Sequence, residues 1–298
     1  MAPDEPVSLA VRRMTVDLLG RAVGDLRGEG TGSFDKGIHG ARKKMKRLRG
    51  LIRLVRDPIG HRVYREENAV LRDTAKNLAG IRDALVLVET LRDIRMTYDD
   101  LLDDVTFVKP EAWLARRHEE RRESVTGAVV LGAVVNLATA RARYLSFPIE
   151  EAVTDDFDAI ARGVRRVYGR GHRGFGRAVA TRHVEDLHEW RKRVKYLRYQ
   201  MEALAPIQPT LIGSMAHELD ELGEELGSDH DLAVLAETIM EHPESCRDER
   251  ERWMLIALIH ERRTGLQNAA LRRGAALYAE NPSAFLDRLE AYWQAGRR

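Results

Sequence analysis

Apolar residues recur every three or four positions along most of the 298-residue chain, which is the periodicity of amphipathic α-helices. No stretch alternates apolar and polar residues as a half-buried β-strand does, so the sequence predicts an all-α fold. In the first half, the predicted helices cover Val7–Leu26, Phe34–Val55, Val63–Leu78, Gly80–Leu91 and a long segment from Pro110 into Val129–Leu145. In the second half, they cover Asp156–Tyr168, His183–Leu204, Leu211–Leu226, Asp229–Met240, Asp248–Tyr278 and a last helix opened by Pro282.

Glycine, proline and acidic residues mark the predicted breaks between these helices. Gly28–Gly32 is predicted as a loop, Asp99–Lys109 as an acidic connection, and Gly169–Arg177 as a bend rich in glycine and arginine. Pro110 suits the first turn of the helix that follows, where no amide hydrogen bond is needed. Phe147-Pro148 is the predicted boundary between two helical halves, at about 7–147 and about 149–298.

The longest uncharged run, Ser124–Ala140, is short and only mildly apolar for a membrane span. We interpret it as a buried, closely packed central helix and expect no membrane partner. The first residues are acidic and lack the apolar core of a signal peptide, so we expect a cytoplasmic protein. The single cysteine, Cys246, excludes an intramolecular disulfide and any metal site built from several cysteines.

Two of the predicted helices carry the same basic motif, at His39–Arg53 and at His188–Arg198. Aligned without gaps, the copies pair His39 with His188, Arg42 with Arg191, Lys43 with Lys192, Lys46 with Lys195, Leu48 with Leu197 and Arg49 with Arg198. Downstream, Leu78–Leu87 matches Leu226–Leu235, which aligns Asp83 with Asp231 and Arg82 with His230. This internal repeat predicts two helical bundles related by an approximate two-fold axis, with the basic helices facing a shared central groove or channel.

Each copy of the motif has a cationic face and an apolar face when its residues are placed at about 100° apart. In the first copy, Met45, Leu48 and Leu51 fall opposite the stripe that begins at His39. Eight Lys or Arg residues lie between Arg42 and Arg56 without an acid, although like charges three or four residues apart repel. The net charge of the chain is only +2, so the positive charge is local and favours a defined anion site.

The doubled H-x-x-R-K-x-x-K-x-L-R motif, followed each time by its aspartate segment, resembles the CHAD family, the conserved histidine α-helical domain. The resemblance covers nearly the whole chain, which makes 1–298 a single domain. It implies two four-helix-bundle-like halves and the non-enzymatic binding of inorganic polyphosphate, with targeting or scaffolding at polyphosphate granules as a candidate role. The chain departs from the family at His230, where Asn or Arg is more usual. Glu189 and Glu202 near the second stripe predict unequal binding by the two halves.

The resemblance implies a set of polyphosphate-binding residues, to which the helical stripe adds Arg53: His39, Arg42, Lys43, Lys46, Arg49, His188, Arg191, Lys192, Lys195 and Arg198. Further candidates are Arg82 and, in the predicted bend, Arg170 and Arg173, which either fold over the anion or remain exposed. A linear polyphosphate carries about one charge per phosphate, and helical cations repeat along it about every 5.4 Å. Arginine contributes a planar fork and lysine a compact charge, and binding should weaken steeply with salt.

Two pairs of residues keep alternative interpretations. His39 and His188 either donate to phosphate or play a structural part, bonding a carboxylate or carbonyl at the helix start. Asp83 and Asp231 either orient the basic side chains or are helix-start acids that the helix dipole favours.

Two other functions are weighed against polyphosphate binding. A polyphosphate-processing enzyme or subunit needs catalytic residues, but the sequence lacks an E-x-E-x-K strand motif, a Walker A motif and a carboxylate cluster for paired metals. We therefore assign no catalytic residue, cofactor or metal ligand. An RNA- or DNA-binding protein is disfavoured because aromatic residues make up only 6% of the chain and none interleaves with the basic stripe. The sequence leaves the oligomeric state open.

Overall fold

The computed structural model describes residues 1–29, 33–99, 105–124 and 127–297. These residues form helices and no β-strand, which confirms the predicted all-α class. The first six helices are α1 Val7–Leu26, α2 Phe34–Leu54, α3 His61–Asn77, α4 Ala79–Thr97, α5 Val105–Ser124 and α6 Gly127–Ser146. The other six are α7 Ile149–Ala152, α8 Asp158–Thr181, α9 Val184–Leu204, α10 Leu211–Glu241, α11 Glu249–Leu277 and α12 Pro282–Gly296.

Side-chain caps explain why several helices begin close to their predicted starts. The Ser33 hydroxyl accepts a hydrogen bond from a backbone amide in the first turn of α2 at 3.4 Å. The Asp248 carboxylate accepts from the Glu251 amide at 2.8 Å at the start of α11. Asn281 caps α12, and Pro282 is the first residue of that helix. Each cap satisfies an amide that has no partner within its own helix.

The predicted bend at Gly169–Arg177 is wrong, because α8 runs through it without interruption. The glycines serve close packing instead of a turn. A Cβ on Gly171 would lie 2.5 Å from Tyr278 Oη, and one on Gly174 would lie 3.3 Å from Trp190 Cδ1. Glycine at these positions lets two large aromatic side chains approach the backbone of the helix.

The two helices predicted at Leu211–Leu226 and Asp229–Met240 are a single helix, α10. Asp229 resembles the start of a new helix in the sequence, but its carboxylate is buried and turned towards α11. It accepts hydrogen bonds from Arg263 Nε at 3.0 Å and from Gln267 Nε2 at 2.9 Å. Because the acid is satisfied by a neighbouring helix, it does not cap a helix of its own.

The region predicted as one long helix from Pro110 contains α5 and α6, and residues 125–126 between them lie outside the described residues. Pro110 is the sixth residue of α5 and not part of its first turn, because the helix begins five residues earlier at Val105. The predicted acidic connection therefore becomes helical from 105 onwards, while its residues 100–104 lie outside the described residues. Residues 30–32 of the predicted glycine-rich loop also lie outside the described residues.

The expectation that the uncharged run forms a buried central helix is wrong for one side of α6. Ala133, Leu137 and Ala140 are buried, whereas Leu131 is 63% exposed and Val135 is 54% exposed. By length and composition, α6 is the one helix in the described ranges that is long and apolar enough to cross a membrane. Only 28% of its most apolar window is buried, so α6 lies at the surface and contacts α1 and α3.

Two clusters of buried apolar side chains form the core, and each draws residues from both sides of Phe147-Pro148. The larger cluster includes Met45 of α2 and Trp190 of α9. The smaller cluster joins α4 and α5 to α10 and α11. Helix α2 packs directly on α9, where a Cβ on Gly50 would lie 2.7 Å from Tyr199 Cβ. The two-fold relation between the halves stays a prediction.

Candidate cationic binding site

The basic helices α2 and α9 turn their apolar faces into the core, as the sequence predicts. Met45 and Leu48 of α2 are fully buried, and so are Trp190 and Val194 of α9. This packing fixes the direction of the basic side chains on the opposite face without requiring them for the core.

Four cations from the two motif copies interact with one another, and we call Arg42, Lys46, Arg191 and Lys195 the cationic cluster. Burial, and after it Arg42 and Arg191, lowers the pKa of Lys46 to about 8. Burial, and after it Arg191 and Lys46, lowers the pKa of Lys195 to about 7. Lys46 is nevertheless exposed to solvent, and Lys195 is half-buried. Each lysine lies near a cation of the other motif copy, which disfavours its charged form.

Asp83 and Asp231 lie beside the cationic cluster. Asp83 accepts a hydrogen bond from Arg42 at 3.4 Å, and both aspartates favour the charged form of Lys46. Asp231 also favours the charged form of Lys195. The helix-start interpretation is wrong for Asp231, which lies deep within α10, and Asp83 lies in the second turn of α4. Both acids are in place to orient the basic side chains.

Arg191 lies tightly against the backbone of α10. A Cβ on Gly227 would be only 2.8 Å from Arg191 Nη2, so this glycine makes room for the guanidinium. Arg191 Nε is buried and makes no hydrogen bond within the described part of the chain. Arg42 is held differently, because it donates to the Leu78 carbonyl at 2.9 Å.

The histidine that opens the second motif lies against His230, with the two ring centroids 4.1 Å apart and the ring planes tilted by 37°. Burial lowers the pKa of His188 to about 4, with His230 and Lys192 contributing next. Burial, followed by Arg191, lowers the pKa of His230 to about 4 as well. Both rings are therefore neutral at pH 7. In the described ranges, the Nδ1 atoms of His188 and His230 have no hydrogen-bond partner. His39, the histidine of the first motif, is exposed on α2.

Beyond the cationic cluster, the stripe of α2 continues with Arg49 and Arg53. Arg49 Nε donates to Asn68 Oδ1 at 3.1 Å. The Arg53 guanidinium lies 3.9 Å from the ring centroid of Tyr196 and 5.7 Å from that of Tyr64. The expectation that no aromatic residue interleaves with the basic stripe is therefore wrong. Arg53 covers a face of each ring, so these tyrosines do not form an open platform for bases.

Carboxylates neutralise part of the second stripe. Arg198 Nε donates to Glu202 Oε1 at 2.7 Å, and Arg198 also pairs with Asp220. Lys192 pairs with Glu189 at 2.5 Å. The two stripes therefore differ in unpaired charge, and unequal binding by the two halves stays a prediction.

The remaining predicted residues lie in different surroundings. Lys43 is exposed on α2, and the backbone of Arg82 belongs to α4 while its side chain lies outside the described residues. Arg170 of α8 is near arginines of α2 and α9. Arg173 instead lines a hollow with Asn281 at the start of α12. The structure therefore brings Arg170, and not Arg173, towards the basic helices.

Sequence reasoning missed three arginines that the structure brings together with Arg53 and Arg170. They are Arg56 just after α2, Arg166 on α8 and Arg193 on α9. Arg56 had a signal in the sequence, because it follows Arg53 by three residues and extends the same helical stripe. Arg166 and Arg193 had no signal in the sequence, because only tertiary packing brings α8 and α9 to the end of α2.

Comparison with known proteins adds a family to this geometry. The model of the CHAD domain matches residues 18–240, a range that contains both copies of the basic motif. The chain belongs to the CHAD domain family. Its fold is similar to that of PptA from Streptomyces chartreusis, with a TM-score of 0.66 and 15% identity over 93% of this chain and 100% of that one. At this identity the likeness shows a shared fold. No curated protein matches the chain significantly.

Proposed function

We propose that this CHAD domain binds inorganic polyphosphate along the basic faces of α2 and α9 and does not convert it chemically. The cationic cluster carries the proposal, because the structure brings four cations of the two motif copies close enough to lower the pKa of Lys46 and of Lys195. A bound polyanion relieves this repulsion and raises both lysine pKa values. CHAD-domain proteins are polyphosphate binders, which supports the same ligand.

A linear phosphate polymer fits the arrangement of these cations better than a compact anion does. Arg49 and Arg53 extend the row from the cationic cluster along α2, and one helical turn advances about 5.4 Å. Arginine forks clamp phosphate oxygens in pairs, whereas lysines adjust to the position of each phosphate. The bound chain then follows a basic groove or channel between the two halves of the repeat.

The biological role that follows is targeting or scaffolding at polyphosphate granules in the cytoplasm. A fluorescent fusion should concentrate on polyphosphate granules and disperse when the cells are depleted of polyphosphate. A fusion that stays diffuse in granule-containing cells would argue against this location and leave binding itself to be measured separately.

The direct test reverses charge in the middle of the site. Lys46→Glu combined with Lys195→Glu should abolish polyphosphate binding in calorimetry, because two cations of the cationic cluster become anions facing the same ligand. Helix content measured by circular dichroism should stay unchanged, since neither side chain belongs to the apolar core.

A matched control has the same change in net charge away from the site. Arg162→Glu combined with Arg272→Glu alters two exposed arginines on α8 and α11 and should leave most of the affinity intact. Equal loss in both double variants would mean that net charge alone governs binding, and loss of the fold would mean that the lysines are structural.

Neither alternative function has a specific observation in its favour. In the described part of the chain, no group of three or more His, Cys, Asp or Glu side chains is arranged to hold a metal ion. Phosphate release from polyphosphate with Mg²⁺ or Mn²⁺ present would revive the enzyme hypothesis. Displacement of bound polyphosphate by short RNA at equal charge would favour a nucleic-acid ligand.

A further inference from the structure

Five arginines meet at the C-terminal end of α2 around a narrow, partly open pocket, whose cavity volume of about 20 Å³ is little more than a water molecule needs, so a larger anion lies across its mouth. We call this the arginine pocket; its cations are Arg53, Arg56, Arg166, Arg170 and Arg193. A helix C-terminus favours nearby cations, which accounts for Arg53 and Arg56. It does not account for Arg166, Arg170 and Arg193, which belong to α8 and α9.

The arginine pocket carries more positive than negative charge. Within the described ranges, two of its arginines pair with carboxylates: Arg166 with Asp57 at 2.9 Å and Arg193 with Glu189 at 3.1 Å. Burial and then Arg193 lower the pKa of Arg170, and Arg56 and Arg166 lower it further. Such mutual repulsion is unfavourable unless an anion offsets it.

Two of these guanidinium groups lie over tyrosine rings. Arg53 lies 3.9 Å from the Tyr196 ring centroid, and Arg56 lies 4.7 Å from that of Tyr64. Arg53 Nη1 also donates to the Arg49 carbonyl, and a guanidinium lying over a ring can still donate its other N–H groups to an anion. These contacts order the two arginines before a ligand binds, which lowers the entropic cost of binding.

The opposite end of the paired motif is chemically different. In the repeat, the position of Arg53 corresponds to Glu202 of the second copy. Glu202 pairs with Arg198 at 2.7 Å and with Arg47 at 3.2 Å, and Asp220 also pairs with Arg198. The basic surface therefore has an excess of cations near Arg53, whereas carboxylates balance the cations near Glu202. Its two ends are not equivalent.

We infer that the arginine pocket binds the terminal phosphate of a polyphosphate chain, an inference that rests on the proposed function. An internal phosphate has two free oxygens and one charge, whereas a terminal phosphate has three free oxygens and a second ionisation at a pH of about 6. The additional oxygen and charge match several converging guanidinium forks. The chain then runs from the arginine pocket past Arg49 to the cationic cluster.

The test compares two polyphosphates of equal length, one with free ends and one with both ends converted to amides of a small neutral amine. At pH 7.5 the wild-type protein should bind the free-ended chain about tenfold more tightly, a difference of about 1.4 kcal/mol. Arg170→Gln and Arg56→Gln should each reduce this preference, because they weaken binding of the free-ended chain more than binding of the blocked chain. Arg165→Gln, an exposed neighbour on α8, is the matched control and should keep the preference.

Equal affinity of the wild-type protein for the two chains would overturn the inference while leaving the proposed function intact. Arg170→Gln and Arg56→Gln weakening both chains alike would overturn it too, because the arginines would then contribute only general charge. No binding of either chain by the wild-type protein would overturn the proposed function itself, and the inference with it.

Discussion

Lys46 and Lys195 differ from ordinary surface lysines in what surrounds them. Lys46 is exposed and Lys195 is half-buried, and the cations near each belong partly to the other copy of the motif: Arg191 near Lys46, and Lys46 near Lys195. Two free energies oppose the charged form, the loss of water and the repulsion between like charges. The sequence predicted the residues, but their lowered pKa values arise only when α2 packs on α9.

Proton uptake on binding follows from these lowered pKa values. With pKa values of about 8 and about 7, Lys46 and Lys195 are partly deprotonated at pH 8, and polyphosphate should recharge them. Affinity should therefore fall as pH rises from 6 to 9. Calorimetry at pH 8 in buffers of different ionisation enthalpy should show uptake of about one proton or more per site.

The matched variant for this prediction is Lys195→Arg, which keeps its charge at every pH in this range. It should take up fewer protons and lose affinity less steeply with rising pH. Wild-type binding without proton uptake would mean that the two lysines stay fully charged in the free protein.

At the scale of single elements, α8 shows what sequence patterns alone do not resolve. Its run of glycine and arginine suggested a bend, since glycine usually marks breaks in a helix. The structure uses Gly171 and Gly174 as contact points for Tyr278 and Trp190, and this contact holds α8 against α9 and α11. The sequence predicted two helices in place of α10 for a similar reason, because the side chains that donate hydrogen bonds to Asp229 lie on another helix.

Two alanine substitutions in α8 test this account of the glycines. Gly171→Ala should destabilise the protein by about 1–3 kcal/mol, because its Cβ would lie 2.5 Å from buried Tyr278 Oη. Gly176→Ala meets nothing within 4 Å and should stabilise the helix by about 0.5–1 kcal/mol. Urea unfolding of both variants measures the two free energies.

The two variants are expected to change the free energy of unfolding in opposite directions, which distinguishes a packed helix from a flexible bend. If Gly169–Arg177 were a flexible bend, Gly171→Ala would not clash with Tyr278, and Gly176→Ala would not gain helix propensity. Similar stability changes in both variants would contradict the continuous helix.

At the scale of the whole molecule, the two motif copies are alike in sequence but differ in electrostatic surroundings. Spacing and composition were enough to predict the all-α class, the two basic helices and the direction of their cationic faces. They were not enough to find the arginine pocket, whose members Arg166 and Arg193 come from helices far apart in the chain from Arg53. Nor did they show that Arg198 is shared between Glu202 and Asp220.

This asymmetry predicts unequal effects at matched positions. Arg49→Gln should weaken polyphosphate binding about tenfold, because the nearest partner of Arg49 is the neutral Asn68. Arg198→Gln should weaken binding less and instead reduce the free energy of unfolding, since Asp220 loses its pairing with Arg198 and Glu202 keeps only Arg47 within the described residues. Calorimetry and urea unfolding of both variants give the comparison, and equal losses of affinity would contradict it.

The central claim is that these cations recognise a phosphate polymer and not merely negative charge. Calorimetric titration of the wild-type protein with polyphosphate and with heparin, matched for charge and ionic strength, tests it most directly. The account predicts submicromolar binding of polyphosphate, at least about tenfold tighter than heparin, and a steep decrease with salt. Binding of polyphosphate that is micromolar or weaker and equal to that of heparin would contradict it.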